Sequence, residues 1–110
     1  VTIWGSGTPL REFLHVNDLA DACYFLMQQY NEPGLINVGV GEDITINELA
    51  LLVKEIVGYN GAIMHDTAKP DGTPRKLMDV SRLHALGWKA KIGLKEGITE
   101  VYREFENLKM

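Results

Sequence analysis

The stretch Val1–Ala22, VTIWGSGTPLREFLHVNDLADA, decides the fold class. "VTIW" is β-branched and aromatic, which predicts a short strand, and "GSGTP" stops it. "REFLHV" follows as a second extended piece. Asn17 then reads as a helix cap, with Asp18 and Asp21 in a first turn whose positive end favours carboxylates. Leu19, Ala22, Cys23, Leu26 and Tyr30 recur at helical spacing and predict one apolar stripe. A strand, a glycine turn, an extended piece and a helix in succession make an α/β chain.

The rest of the sequence extends the pattern. "NEPG" (Asn31–Gly34) ends the first helix because proline cannot continue it. "LINVGVG" (Leu35–Gly41) alternates and is rich in branched residues, so it is expected to be a strand. "TINE" (Thr45–Glu48) is a capping box opening a helix with Ile46, Leu49, Leu52, Val53 and Ile56 on one face, and Gly58 closes it. "AIMHD" (Ala62–Asp66) suggests another strand. "DVSRLHALGW" (Asp79–Trp88) predicts a short helix capped by Ser81 and ended by Gly87. A last helix, Leu94 to Leu108, turns Leu94, Ile98, Val101, Tyr102 and Phe105 inward. Four helices and small sheet pieces in one domain, residues 1–110, are expected.

Bulk properties narrow the function. The 110 residues carry 15 acidic and 11 basic side chains, net −4, which argues against a general nucleic-acid binder because that needs a basic face. The lone Cys23 leaves no internal disulfide and no cysteine metal site, and fits a reducing, cytoplasmic setting. Lying mid-stripe, it reads as a packed thiol. No apolar run approaches the roughly 20 residues of a membrane span, so no membrane partner is expected. The pairs Gly5/Gly7 and Gly39/Gly41 both fail the dinucleotide fingerprint, since Leu10 and Ile44 stand where a third glycine belongs. No tyrosine is followed four positions later by lysine, and His15, His65 and His84 form no metal motif. His15 reads as a satisfied strand histidine. Catalytic and metal-binding residues are therefore expected to be absent.

One passage runs against the acidic balance. "KPDGTPRKLMDV" (Lys69–Val80) is broken by two prolines and a glycine, yet places Lys69, Arg75 and Lys76 against the single Asp71 within eight residues. Such a loop needs a negative partner. Arginine and lysine suit a diphosphate, each charge-assisted hydrogen bond contributing about 1.5–3 kcal/mol. Trp4, beside a glycine turn that admits a ligand close to the backbone, offers a stacking surface of roughly 0.5–1.5 kcal/mol beyond area. Arg11 starts the next extended piece. Trp4, Arg11, Asp71, Arg75 and Lys76 together suit a nucleotide-sugar. Each has a plainer reading: Trp4 in the core, Arg11 paired with Glu12 or Asp18, and the basic loop merely solvated.

"WGSGTPLREFLHVNDLADA", "INVGVGEDITINELA", "KPDGTPRKLMDVSRLHALGW" and "GLKEGITEVYREF" follow one another across nearly the whole chain. In this order they resemble the C-terminal part of the GDP-L-fucose synthase family, extended short-chain dehydrogenases/reductases. The wider layout, from R-[DE]-F through I-N-V-G to L-G-W, marks the nucleotide-sugar epimerase and dehydratase superfamily. "WGSGTPLREFLHV" and "KPDGTPRK" narrow it to the fucose enzymes. The resemblance implies a two-domain homodimeric parent whose other domain binds NADP(H) and carries the catalytic set, while this smaller domain holds the GDP-sugar. It implies inversion at C3 and C5 of a 4-keto sugar, followed by reduction of the C4 ketone by NADPH. The carbonyl acidifies the neighbouring C–H bonds, so epimerisation precedes reduction. Trp4 and Arg11 match substrate-binding positions of the family; Asp71 and Lys76 lie in the matching loop, with Arg75 beside them. No cofactor is expected on this chain, which opens inside a strand-like segment and reads as a catalytically inert fragment. The alternatives are a stand-alone nucleotide-sugar binding module, or the substrate domain of another nucleotide-sugar epimerase or dehydratase.

Overall fold

The computed structural model describes residues 1–108. Five short strands and four helices follow in the order β1 (Thr2–Trp4), β2 (Leu10–Arg11), α1 (Val16–Gln29), β3 (Ile44–Thr45), α2 (Ile46–Val57), β4 (Met64–Asp66), β5 (Arg75–Lys76), α3 (Ser81–Ala85) and α4 (Leu94–Leu108). The α/β expectation holds. β1 pairs in parallel with β4, so "VTIW" and "AIMHD" are strands of one small sheet. A second sheet has the order β3-β2-β5, with β2 antiparallel to β3 and parallel to β5.

The capping box forms as its sequence dictates. Thr45 Oγ1 accepts from the Glu48 amide while the Glu48 carboxylate accepts from the Thr45 amide, and α2 ends on Gly58 at a left-handed φ of 78°. α2 packs against α4. Beside them, under the start of α1, lies an apolar cavity of about 400 Å³ whose walls include Phe13, Leu49, Val53, Leu94 and Ile98.

Several local expectations need correction. The cap of α1 is His15, whose Nδ1 accepts from the Asn17 amide at 3.0 Å; Asn17 already lies within the helix. His15 is thus a cap and not a strand residue, and its Nε2 is buried without a hydrogen-bond partner among the described residues. α1 is also rotated from the predicted stripe: Ala22 is buried with Leu83 and Trp88, Phe25 and Leu26 pack against them, and Leu19 and Cys23 are exposed. The rotation follows from carboxylates. Asp18, only 3% exposed, accepts from the amides of Lys91 and Ile92, and Asp21 accepts from the Trp88 indole at 2.8 Å. α1 must turn that face toward residues 88–92. Ser81 does not cap α3; it is the first helical residue, and its amide donates to Asp79 Oδ1.

A further correction concerns "LINVGVG", which forms no strand. The Val40 and Gly41 amides both donate to Glu12 Oε2, at 2.6 Å each, and the Leu35 carbonyl accepts from Arg82 Nη1. Side chains take the backbone groups that a neighbouring strand would otherwise satisfy. On α4, Leu94, Ile98 and Tyr102 are half-buried as expected, but Val101, at the wall of the apolar cavity, and Phe105 are exposed. Among the described residues no helix is long and apolar enough to cross a membrane.

Candidate functional site

The turn after β1 and the basic loop form one surface. Gly5 has a φ of 81°, and a Cβ there would collide with the Asp71 carboxylate. Asp71 occupies that space because it ties the turn: its Oδ1 accepts from the Ser6 amide and its Oδ2 from the Ser6 hydroxyl, both at 2.7 Å. The Ser6 hydroxyl, then the Ser6 amide, holds the Asp71 carboxyl below the usual carboxylate range. Gly7 is equally constrained by the Asn47 side chain, which donates to the Ser6 carbonyl and hydrogen-bonds His65 Nε2 at 2.7 Å.

Downstream, the loop runs along β2. Arg11 Nη1 donates to the Thr73 carbonyl at 2.6 Å, and the Leu10 amide donates to the Pro74 carbonyl at 2.8 Å. Arg75 and Lys76 then enter the sheet as β5, so a passage expected to be wholly irregular contributes two strand residues just after its second proline. Proline is tolerated there because its carbonyl still accepts and its missing N–H falls outside the pairing. Leu10 stands opposite Arg75, and Arg11 opposite Lys76. Directly paired residues share a face of the sheet, which sets two cations side by side.

Of the five residues read as a binding set, the fold joins Arg11 to Lys76 and links Trp4 to them through the loop. Trp4 is 71% exposed, so the core reading fails for it, and Lys69 Nζ rests 5.0 Å from the centre of its ring. Arg11 pairs with neither Glu12 nor Asp18, whose carboxylates take backbone amides instead. Asp71 and Arg75 already have protein partners, and Arg11 Nη1 donates to the Leu10 and Thr73 carbonyls. Arg75 Nε donates to Asp43 Oδ2 at 2.7 Å, with the aspartate side chain only 10% exposed. Cavities of about 400, 290 and 460 Å³ lie elsewhere, and none is lined by any of the five. The surface is an open shelf.

Ser6 and Lys69 belong to this shelf, although the five-residue set read from the sequence included neither. Their signals were present: Ser6 sits between two glycines with a backbone donor needing an acceptor, and Lys69 opens the basic loop. Neither glycine turn fits a dinucleotide. The Gly5–Gly7 turn is filled by Asp71 and Asn47, placing a carboxylate where a pyrophosphate would need room and positive charge.

Residues 1–39 match the NAD dependent epimerase/dehydratase family. A putative GDP-L-fucose synthase 2 of Arabidopsis thaliana is 63% identical over 102 residues, covering 93% of this chain and 31% of the relative. A solved GDP-6-OMe-4-keto-L-xylo-heptose reductase from C. jejuni superposes with a TM-score of 0.90 at 42% identity, over 99% of this chain and 34% of that one. A solved GDP-L-fucose synthetase from Naegleria fowleri, bound to NADP, gives 0.89 at 27% identity, over 99% and 35%. These likenesses are to proteins of the nucleotide-sugar epimerase and reductase kind, and the NAD dependent epimerase/dehydratase model itself matches 39 of the 110 residues. It spans about a third of the length of the relatives it matches. The resemblance read from its motifs is borne out.

Proposed function

We propose that residues 1–110 form the C-terminal GDP-sugar-binding domain of an NADP-dependent epimerase-reductase. The parent converts GDP-4-keto-6-deoxy-D-mannose to GDP-L-fucose by inversion at C3 and C5 and reduction at C4. The observation carrying this reading is the β2/β5 register, which holds the Arg11 and Lys76 cations side by side next to a turn bearing an exposed indole. The cations bind the diphosphate, two charges against two, and Trp4 stacks on the base or sugar. Lys69, 5.0 Å from the centre of the indole ring, adds a third cation beside the stacking surface. Arg75, neutralised by Asp43, orients the strand, and Asp71 shapes the turn through Ser6.

The chain's own share of the reaction is therefore binding and orientation. NADP(H) belongs to the rest of the parent, because the glycine turns of this chain do not accommodate it. A cytoplasmic homodimer completes the proposed assembly. The high identity to a fucose synthase favours the fucose pathway substrate, while the likeness to a GDP-heptose reductase favours GDP as the constant part and the sugar as the variable one.

Thermal stabilisation of the full-length protein by GDP, UDP and dTDP at equal concentration tests the reading. A ligand that binds only the native state raises its melting point. GDP is expected to raise it most. Equal shifts for all three would remove the assignment of the base, and no shift for any would remove the shelf as a nucleotide site.

A further inference from the structure

Resting on the reading of Arg11 and Lys76 as the diphosphate seat, we infer that Glu12 is the positioning residue that sets their spacing. Glu12 follows Arg11 directly. Consecutive residues of an extended chain send their side chains to opposite sides, so Glu12 works from behind the seat. Its carboxylate joins two remote segments: Oε2 accepts from the Val40 and Gly41 amides at 2.6 Å each, and Oε1 accepts from the Met78 amide at 2.9 Å. Met78 lies two residues beyond Lys76. The strand pairing that places Lys76 opposite Arg11 is only two residues long and is fixed upstream by the Leu10–Pro74 and Arg11–Thr73 bonds. Glu12 fixes it downstream.

So short a ladder specifies its register weakly, and a one-residue slip would send the Lys76 side chain to the other face. The clamp on Met78 opposes that slip. A carboxylate suits the task because it is acceptor-only, and one oxygen can take two converging amides while the other takes a third. The same three donors hold its negative charge away from the seat, which leaves Lys76 and the Arg11 nitrogens other than Nη1 to face an anion. A neutral amide at this position would present one N–H-bearing terminus to a donor and break one arm of the clamp.

The test uses the full-length protein, with steady-state kinetics in GDP-sugar and in NADPH. Glu12→Gln is expected to raise KM for the GDP-sugar about tenfold while KM for NADPH moves less than twofold. Asp18→Asn is the control: that carboxylate also binds two backbone amides, those of Lys91 and Ile92 and not of the basic loop, so its loss should lower the melting point without moving KM for the GDP-sugar. Lys76→Ala then closes a double-mutant cycle. If Glu12 acts through Lys76, adding Glu12→Gln to Lys76→Ala should cost little more. Glu12→Asp supplies the same readout if the glutamine variant does not fold. Multiplicative effects of the two substitutions, or a Glu12 variant with lowered melting point and unaltered KM, would overturn the inference while leaving the seat intact. An unaltered KM in Lys76→Ala would overturn the seat and the clamp together.

Discussion

Two segments of this chain are fastened by the same device and to different ends. The loop 69–76 is laid along β2, and residues 88–92 are laid along α1. In both, carboxylates accept from a turn or a backbone: Asp71 from Ser6 at the first, Asp18 from Lys91 and Ile92 at the second. The second is backed by a core, since Trp88 is buried with Ala22 and Leu83 while its indole donates to Asp21. The first has no buried side chain; every residue from 67 to 79 is exposed. Apolar burial supplies the large terms at the α1 strap, and hydrogen bonds alone hold the shelf. The proposed binding surface, kept polar and open, trades intrinsic stability for access.

Substitutions should separate the two. Trp88→Ala is expected to have the largest effect, about 3–5 kcal/mol of lost stability in denaturant unfolding, because it removes an aromatic from the core. A loss as small as that of a surface residue would break the contrast. Lys76→Ala or Arg11→Ala should do the reverse. Affinity for GDP should fall by about 1.5–3 kcal/mol, one to two orders of magnitude, with NADPH affinity unchanged in titration calorimetry. If either variant shifts NADPH affinity instead, the seat is misplaced.

Acid should loosen the shelf. Asp71 has a lowered pKa in the folded state because Ser6 binds its ionised form. The stabilisation is therefore present above the unfolded carboxyl pKa of about 3.9 and is lost as pH falls through the lower folded value. In an NMR titration the Ser6 amide resonance should move only below about pH 4, and Asp71→Asn should abolish that movement. The smallest effect belongs to Asp43→Asn. Arg75 is more than half exposed, so losing this pair should cost no more than about 1 kcal/mol, and a larger change in GDP affinity would show that Arg75 holds ligand itself.

The elements most legible in the sequence were those whose signals are local. The capping box at Thr45–Glu48, the glycine after Val57 and the span of α4 all follow from neighbours within a turn. The cap of α1 was misplaced because a histidine side chain, not the more usual asparagine, reached the free amide. The strand in "LINVGVG" failed for a longer-range reason. Its pattern is correct, but a strand needs a partner, and among the described residues its amides meet Glu12, 28 and 29 positions away in sequence. At the site, residue types were readable and pairings were not. Nothing in the spacing of Asp71 and Arg75 showed that Ser6 and Asp43 would occupy them.

The sequence by itself determined the helices, the alternation with short strands, and the presence of a basic loop and an indole suited to a nucleotide-sugar, because propensity, capping and charge are written in adjacent residues. Only the tertiary structure decided which face of α1 is buried, which cations stand together, and which carboxylates hold the backbone. Those outcomes depend on register between segments some 30 to 70 residues apart. Register is a property of the folded chain, since it is chosen by which distant donors and acceptors meet once the segments are brought together.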